Sequence, residues 1–183
     1  ETFLPKVDGI VTRLTKTVKH LIEAGDEVVV FCPEGCPSTY MGAKVIGVSA
    51  MPLPLYPELK LGLPGPAVSD ALDNFQPDLV HVVNPAVLGL GGIWLAKTNN
   101  IPLIASYHTH LPKYLEHYGM GMLEPLLWEL LKAAHNQAVL NLCTSTAMVK
   151  ELSEKGIQHT ALWQRGVDTE TFRPELRKDE MRR

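Results

Sequence analysis

Short apolar runs alternate with amphipathic helical patterns, and this alternation restricts the fold more than any other feature of the sequence. The runs cover residues 27–32, 44–48, 78–83, 101–105, 138–143 and 160–163. The helical patterns cover residues 11–24, 67–75, 85–97, 122–135 and 145–156. Such runs are typical of buried parallel strands, which need a crossover between them. The sequence therefore predicts a doubly wound, Rossmann-like α/β domain with a parallel sheet.

The two ends of the chain differ from this pattern. Residues 3–5 are too short for the strand expected before the first helix, and a proline closes them. Charged residues dominate positions 175–183, which is typical of a linker. We expect residues 1–165 to form one domain whose first strand is missing. We expect residues 166–183 to begin a linker towards a second domain that lies outside this chain.

Composition disfavours a nucleic-acid partner, a membrane-spanning helix and a bound metal. The 183 residues carry 17 Lys and Arg against 20 Asp and Glu, so the net charge of −3 does not support nucleic-acid binding. No apolar run approaches the roughly 20 residues of a transmembrane helix. The three cysteines, Cys32, Cys36 and Cys143, lack the spacing of a zinc site, so we expect no metal.

Three segments carry further local predictions. Prolines and glycines punctuate residues 49–66, which predicts a loop. Gly89, Gly91 and Gly92 indicate that the helix at 85–97 approaches a neighbouring element closely. Leucines at helical spacing in residues 122–135 predict one apolar face that is buried in the domain. Contact of this face with a bilayer, aided by Trp128, is the alternative.

Polar side chains follow the apolar run 101–105, where that predicted strand ends. Residues 107–110 are Tyr, His, Thr and His, and Lys113 and Tyr114 come shortly after. Ligands of open α/β sheets bind outside the carboxyl ends of the strands, so these side chains are placed to reach a ligand. A histidine beside a strand can instead be purely structural. The residues alone leave both interpretations open.

A glycine-containing loop, residues 6–10, precedes the first helix. Unpaired N–H groups and the helix dipole favour an anion there, and Gly9 would let a phosphate approach the backbone. A single loop glycine can also be a simple turn residue. The loop matches neither the dinucleotide fingerprint nor the P-loop, which disfavours nicotinamide enzymes and P-loop nucleotidases.

The segment 163–174 follows the last predicted strand and reads Trp-Gln-Arg-Gly-Val-Asp-Thr-Glu-Thr-Phe-Arg-Pro. It resembles the Asn-Gly-Val-Asp-x-x-x-Phe-x-Pro segment that closes the N-terminal half of retaining GT-B glycosyltransferases. Three more motifs follow the order of that family: Asp8-Gly9, residues 107–110, and Thr-Ser-Thr at 144–146 before a helix with Glu151. The resemblance implies the N-terminal domain of a GT-B fold.

Within that family the chain is similar to the sulfoquinovosyltransferases of cyanobacteria and chloroplasts. The similarity rests on residues 106–112, on Leu162-Trp163 with a basic residue before Gly-Val-Asp, and on residues 42–47. It implies transfer of sulfoquinovose from UDP-sulfoquinovose to diacylglycerol, without a cofactor beyond the sugar donor. It also implies peripheral contact with photosynthetic membranes, at their cytoplasmic face in a cyanobacterium or in the chloroplast. Because the family's second half holds most nucleotide contacts, we expect this chain alone to be inactive.

The resemblance also assigns roles to individual residues. His108 matches the histidine that reaches the donor sugar and stabilises developing charge. Gly9 matches the loop glycine at the donor phosphates, and Arg165 matches a residue that faces the interdomain cleft. The acceptor-side candidates are His110, Lys113 and Tyr114.

The charge of the donor sugar separates this function from its nearest alternative. A sulfonate favours a nearby cation, for which the candidates in this half are Lys6, Arg13 and Lys113. The nearest alternative is a lipid glycosyltransferase that uses UDP-glucose or UDP-galactose. A non-catalytic α/β binding module is an alternative of another class, because a fold does not determine a function.

Overall fold

Strands and helices alternate in the computed structural model, which describes residues 2–53, 56–164 and 166–177. The helices are α1 (Gly9–Ala24), α2 (Pro66–Phe75), α3 (Val87–Thr98), α4 (Leu111–His117), α5 (Glu124–His135) and α6 (Thr146–Glu154), with 3₁₀ turns at Gly121–Leu123 and Pro174–Leu176. The strands are β1 (Val29–Pro33), β2 (Thr39–Tyr40), β3 (Ala43–Val48), β4 (Ala50–Leu53), β5 (Tyr56–Gly62), β6 (Val80–Val83), β7 (Leu103–Tyr107), β8 (Leu140–Cys143) and β9 (Thr160–Leu162).

The larger sheet has the order β6-β7-β8-β9, and all of its strands are parallel. Helices α3, α4 with α5, and α6 connect consecutive strands of this sheet, as parallel pairing requires. A second sheet has the order β1-β3-β2, in which β1 and β3 are parallel and β2 is antiparallel. The predicted α/β fold with a parallel sheet is confirmed.

Alternate residues of β7 point to opposite faces of the sheet. Leu103, Ala105 and Tyr107 are buried against α3, α5 and α6, in two adjoining apolar clusters. Ile104 and Ser106 point to the other face, because side chains alternate along a strand. The core of this half of the domain therefore lies on the Leu103 face, and the opposite face can present polar groups.

The first helix begins two residues before its predicted start. The carboxylate of Asp8 accepts hydrogen bonds from the backbone N–H groups of Ile10 and Val11, at 2.9 and 2.8 Å. This is an N-cap, and it satisfies donors that a helix otherwise leaves unpaired. Gly25 ends the helix with φ of 95°, as its position in the sequence predicts.

The prediction of a loop at residues 49–66 is wrong for most of this segment, because β4 and β5 pair as antiparallel strands, and it holds for residues 63–65. Proline is tolerated where an N–H group does not pair, and each strand of an isolated hairpin has an unpaired edge. The register shifts between Pro52 and Leu53, which is the kind of irregularity that proline favours in a strand. Helix α4 was also absent from the predicted elements.

The leucines of α5 do not share one buried face, which corrects the prediction for residues 122–135. Trp128 and Leu131 are buried, whereas Leu126 and Leu130 are each 60% exposed and Met122 before the helix is 89% exposed. The helix packs through Trp128 and Leu131, which meet β7, β8 and α6, and through Ala134, which meets α3, β6 and β7. No helix in the described part of the chain is long and apolar enough to cross a membrane.

Gly89 and Gly92 let α3 approach β6, and Gly91 lets it approach Pro64, so the predicted close approach is present. A Cβ atom added to Gly89 would lie 2.6 Å from the carbonyl oxygen of Asn84 and 3.0 Å from a methyl group of Val82. A Cβ atom on Gly92 would meet Val82 at 3.3 Å. The contact at Gly89 includes backbone, which cannot move away as a side chain can.

We predict that Gly89→Ala destabilises the protein by about 2 kcal/mol, because overpacking against the backbone outweighs the better helix propensity of alanine. Gly92→Ala is the matched control and should have a smaller effect. The free energy of unfolding is measured by urea titration with circular dichroism. A Gly89→Ala protein as stable as the wild type would contradict the packing described here.

Candidate functional site

The carboxyl ends of the four parallel strands bring distant residues to one edge of the sheet. Asn84 follows β6, His108 follows β7, Ser145 lies two residues beyond β8, and Trp163 follows β9. His108 and Trp163 are half-buried, so both remain in contact with solvent. This edge is where open α/β sheets bind ligands.

Asn84 holds the loop that carries His108. Its side-chain oxygen accepts a hydrogen bond from the backbone N–H of His108, and its amide donates to the hydroxyl of Thr109, both at 3.1 Å. Asn84 has φ of 60°, in the left-handed region that asparagine tolerates better than most residues. The end of β6 therefore determines where the backbone of His108 lies.

The imidazole of His108 has its own hydrogen-bond partner, which differs from that of its backbone. Its Nε2 atom lies 3.0 Å from the hydroxyl oxygen of Ser106, and Nε2 of His81 lies 3.0 Å from the same oxygen. Ser106 is fully buried. Burial, together with the nearby charge of His108, lowers the pKa of His81 to about 4, so His81 is neutral at pH 7.

Trp163 packs against both histidines and against the first helix. Its ring centroid is 5.7 Å from that of His81 and 5.8 Å from that of His108. The guanidinium of Arg13 stacks on the same ring at 3.9 Å and donates hydrogen bonds to the carbonyl oxygens of Trp163 and Gln164. Arg13 thus links α1 to the end of β9, beside the predicted site.

Tyr107 does not join the polar groups at this edge, contrary to the expectation that it could reach a ligand there. Its side chain lies on the core face with 2% exposure, in the cluster that contains Trp128. Burial, followed by the charge of Glu151, raises the pKa of Tyr107 well above its ordinary value. Strand alternation explains this position, because Ser106 and His108 occupy the opposite face.

His110 connects α4 to α6. Its Nε2 atom lies 2.8 Å from a carboxylate oxygen of Glu151, and its Nδ1 accepts a hydrogen bond from the backbone N–H of Lys113 at 3.3 Å. Both ring nitrogens are therefore engaged within the domain. Lys113 and Tyr114 lie on α4 and are exposed. The acceptor-side roles of these three residues stay predictions.

The first turn of α1 leaves space beside Gly9. A Cβ atom on Gly9 would have no neighbour within 4 Å among the described residues, and Gly9 is exposed. Packing within the described domain therefore does not require glycine at this position. Lys6 lies 3.4 Å from the Asp8 carboxylate, which already caps two N–H groups of this turn. A bound phosphate would share this helix end with a carboxylate.

Arg165 lies outside the described residues, so its predicted place at the cleft stays a prediction. Asp168 of the same motif is paired with Lys16 of α1 at 2.8 Å and also accepts hydrogen bonds from Thr171. These bonds hold the pKa of Asp168 well below its usual range. The described contacts thus dock the Gly-Val-Asp segment onto the first helix.

Sequence reasoning did not select Asn84 and His81 as site residues. Asn84 stands before Pro85, and this turn signal indicates only that a strand ends there. His81 is a polar residue inside an apolar run, which was the available signal. Neither signal could identify the partners, because these lie about 25 positions away in the sequence.

Comparison with known proteins gives one family. The profile of Glycosyltransferase Family 4 matches residues 7–171. The sulfoquinovosyl transferase SQD2 of Arabidopsis thaliana is 36% identical over 181 residues, which cover 96% of this chain and 36% of that protein. A GDP-mannose-dependent alpha-mannosyltransferase of Mycobacterium tuberculosis is 34% identical over 189 residues, which cover 100% of this chain and 50% of that protein.

A third relative has lower sequence identity, and its match covers a shorter part of this chain. The alpha-monoglucosyldiacylglycerol synthase of Streptococcus pneumoniae is 28% identical over 127 residues, which cover 67% of this chain and 28% of that protein. The chain thus spans half or less of the length of each of these three relatives. The three relatives are named for different donors or products, and all three names describe sugar transfer or glycolipid synthesis.

Proposed function

The chain belongs to glycosyltransferase family 4, and on that premise we propose that it is the acceptor-side half of an enzyme that transfers sulfoquinovose from UDP-sulfoquinovose to diacylglycerol. The observation that carries the proposal is that both the backbone and the ring of His108 are hydrogen-bonded at the carboxyl ends of the parallel strands. Asn84 holds its backbone and Ser106 holds its ring. The similarity to the sulfoquinovosyl transferase over 96% of the chain supports this choice of sugar. The similarity to the alpha-monoglucosyldiacylglycerol synthase supports a diacylglycerol acceptor.

In this proposal His108 acts on the donor sugar. Groups that are already oriented stabilise developing charge without reorganising during the reaction, which is a large source of rate enhancement. The two attachments of His108 give it that fixed orientation. Gly9 then admits the donor phosphates to the first turn of α1, where the space beside its Cα atom is open. Most of the remaining nucleotide contacts would come from the second half of the enzyme.

We predict that His108→Ala in the full-length enzyme lowers kcat at least 100-fold, because a positioned charge-stabilising group is lost. The matched control is His20→Ala on α1, whose side chain is 75% exposed and pairs with Glu23. Transfer to diacylglycerol is followed by mass spectrometry with UDP-sulfoquinovose, UDP-glucose, UDP-galactose and GDP-mannose as donors. Activity of His108→Ala within about threefold of the wild type would reject the role of His108.

The donor panel also tests a second candidate function. The similarity to a GDP-mannose-dependent mannosyltransferase extends over 100% of this chain, which favours mannosyl transfer from GDP-mannose as the alternative. A wild-type enzyme that uses GDP-mannose and not the sulfonated donor would establish that alternative. Affinity for none of the sugar nucleotides would instead favour a binding module without chemistry.

Recognition of the sulfonate requires a cation, and Lys6, Arg13 and Lys113 remain the candidates in this half. Lys6 and Lys113 are exposed, whereas Arg13 already stacks on Trp163. We predict that Lys6→Ala with Lys113→Ala lowers the ratio of kcat/KM for UDP-sulfoquinovose to that for UDP-glucose at least tenfold, since charge-assisted hydrogen bonds are strong.

The same ratio is measured for Arg13→Ala, and Lys19→Ala, which pairs with Glu23 on α1, is the control. A purely structural loss would reduce the use of both donors equally and leave the ratio unchanged. If the ratio stays unchanged in the double variant and in Arg13→Ala, this half does not recognise the sulfonate.

A lipid acceptor also requires contact with a membrane, for which we propose the exposed stripe Met122, Leu126 and Leu130. These side chains recur at every fourth position and are 60% exposed or more. Tyr114 of α4 and Tyr118, which follows that helix, are exposed nearby in the sequence, and aromatic side chains of this kind favour a membrane interface. The membrane in this proposal is photosynthetic, which is what the motifs shared with sulfoquinovosyltransferases imply.

We predict that Leu126→Asp with Leu130→Asp reduces cosedimentation with vesicles of phosphatidylglycerol and diacylglycerol at least fivefold, because charge opposes insertion of an apolar stripe. Val139→Asp is the control, since Val139 is 64% exposed but lies outside α5, directly before β8. Unchanged binding of the double variant would remove this stripe from the proposal.

A further inference from the structure

Two imidazoles converge on one buried hydroxyl group beneath the proposed donor site. Ser106 and His108 lie on the same face of β7 and its extension because side chains alternate along a strand. His81 of β6 pairs with Ile104 in the parallel register, which places it diagonally beside Ser106. The distances from the hydroxyl oxygen to the two Nε2 atoms are equal, at 3.0 Å.

Hydrogen counting restricts how these three groups can bond. A serine hydroxyl has one hydrogen to donate. Ser106 is fully buried, and its hydroxyl has no third hydrogen-bond partner within residues 2–53, 56–164 and 166–177. A buried hydroxyl that donates to no acceptor is costly, so the hydrogen goes to one of the two Nε2 atoms. The other Nε2 must then carry a hydrogen and donate it to the hydroxyl oxygen.

We propose that Ser106 and His81 are positioning residues for His108, and that the Ser106 hydroxyl always accepts from one imidazole Nε2 while donating to the other. This inference rests on the proposed function for the role of His108. This pair of hydrogen bonds, from Ser106 to His81 and to His108, is called the bridge. It holds the ring of His108 at the carboxyl ends of the strands. It also provides a bonded arrangement whether His108 is neutral or protonated, because the hydroxyl can turn to either ring.

The surroundings of the bridge keep one of its two rings uncharged. His81 is neutral above about pH 4, since burial and the charge of His108 lower its pKa to about 4. Trp163 packs on both rings, and Arg13 stacks on Trp163. At neutral pH His81 and Ser106 are therefore uncharged supports for the ring of His108.

The first test measures donor kinetics of the full-length enzyme with Ser106→Ala. We expect kcat to fall at least tenfold while KM for the sugar donor changes less than threefold, since the bound sugar loses only an oriented group. Ser106→Thr retains the hydroxyl and should keep kcat within about threefold of the wild type. The matched control is Ser153→Ala, an exposed serine of α6 whose hydroxyl bonds to Val149 and Thr160.

Variants at His81 extend this test and guard against loss of folding. His81→Gln can still donate to or accept from the hydroxyl and should retain more activity than His81→Leu, which can do neither. Melting temperatures of all variants are compared. If Ser106→Ala and His81→Leu retain wild-type kcat, or if His81→Gln and His81→Leu lose activity equally while folded, the positioning role is rejected.

The second test determines which ring nitrogens of His81 and His108 carry a hydrogen, and it does not require an activity measurement. In full-length protein labelled with ¹⁵N-histidine, the ring-nitrogen shifts of His81 and His108 are measured at pH 7.5 and assigned with His81→Gln and His108→Gln. We expect one Nε2 to carry a hydrogen and the other to carry none. Two protonated or two unprotonated Nε2 atoms would overturn the bridge.

The two tests separate the bridge from the proposed function. Loss of activity in Ser106→Ala together with full activity in His108→Ala would reject the positioning of His108, although it would leave the bridge itself intact. A bridge seen in the shifts, combined with no transfer from any donor in the wild type, would reject the proposed function alone.

Discussion

The parallel register of β6 and β7 is the constraint on which the candidate site depends. It pairs Val83 with Ser106 and His81 with Ile104, so the ends of the two strands lie side by side. From this register follow the clamp of Asn84 on the backbone of His108 and the approach of His81 to Ser106. Backbone hydrogen bonds of the ladder hold the register, which makes the position of His108 a property of the sheet rather than of its loop.

Strand β7 serves the core and the site at once. Its period of two residues sends Tyr107 into the apolar cluster with Trp128, while Ser106 and His108 remain on the face that meets Trp163. The close approach of α3, which Gly89 permits, packs the helix against the end of β6. Packing on one face of the sheet therefore supports the polar groups on the other face.

Local patterns predicted most of the elements because each pattern has a local cause. Helix α1 ends at Gly25 and helix α6 is capped by Ser145, because glycine is typical of a helix end and serine of a helix start. The hairpin of β4 and β5 was missed because prolines are strong loop signals. Only the tertiary structure shows that each strand keeps an unpaired edge, where proline is tolerated. The exposure of Leu126 and Leu130 was missed because the sequence of α5 alone does not specify which other elements pack against that helix.

The sequence by itself determined the alternation of strands and helices, the family motifs, and the placement of His108 after a buried strand. Periodicity and capping act within a few residues, so a sequence is sufficient for them. Only the tertiary structure decided that Asn84 and His81 reach His108, that His110 is engaged by Glu151, and that Tyr107 belongs to the core. These contacts join residues that are far apart in the chain, and they depend on strand register, which no local pattern specifies.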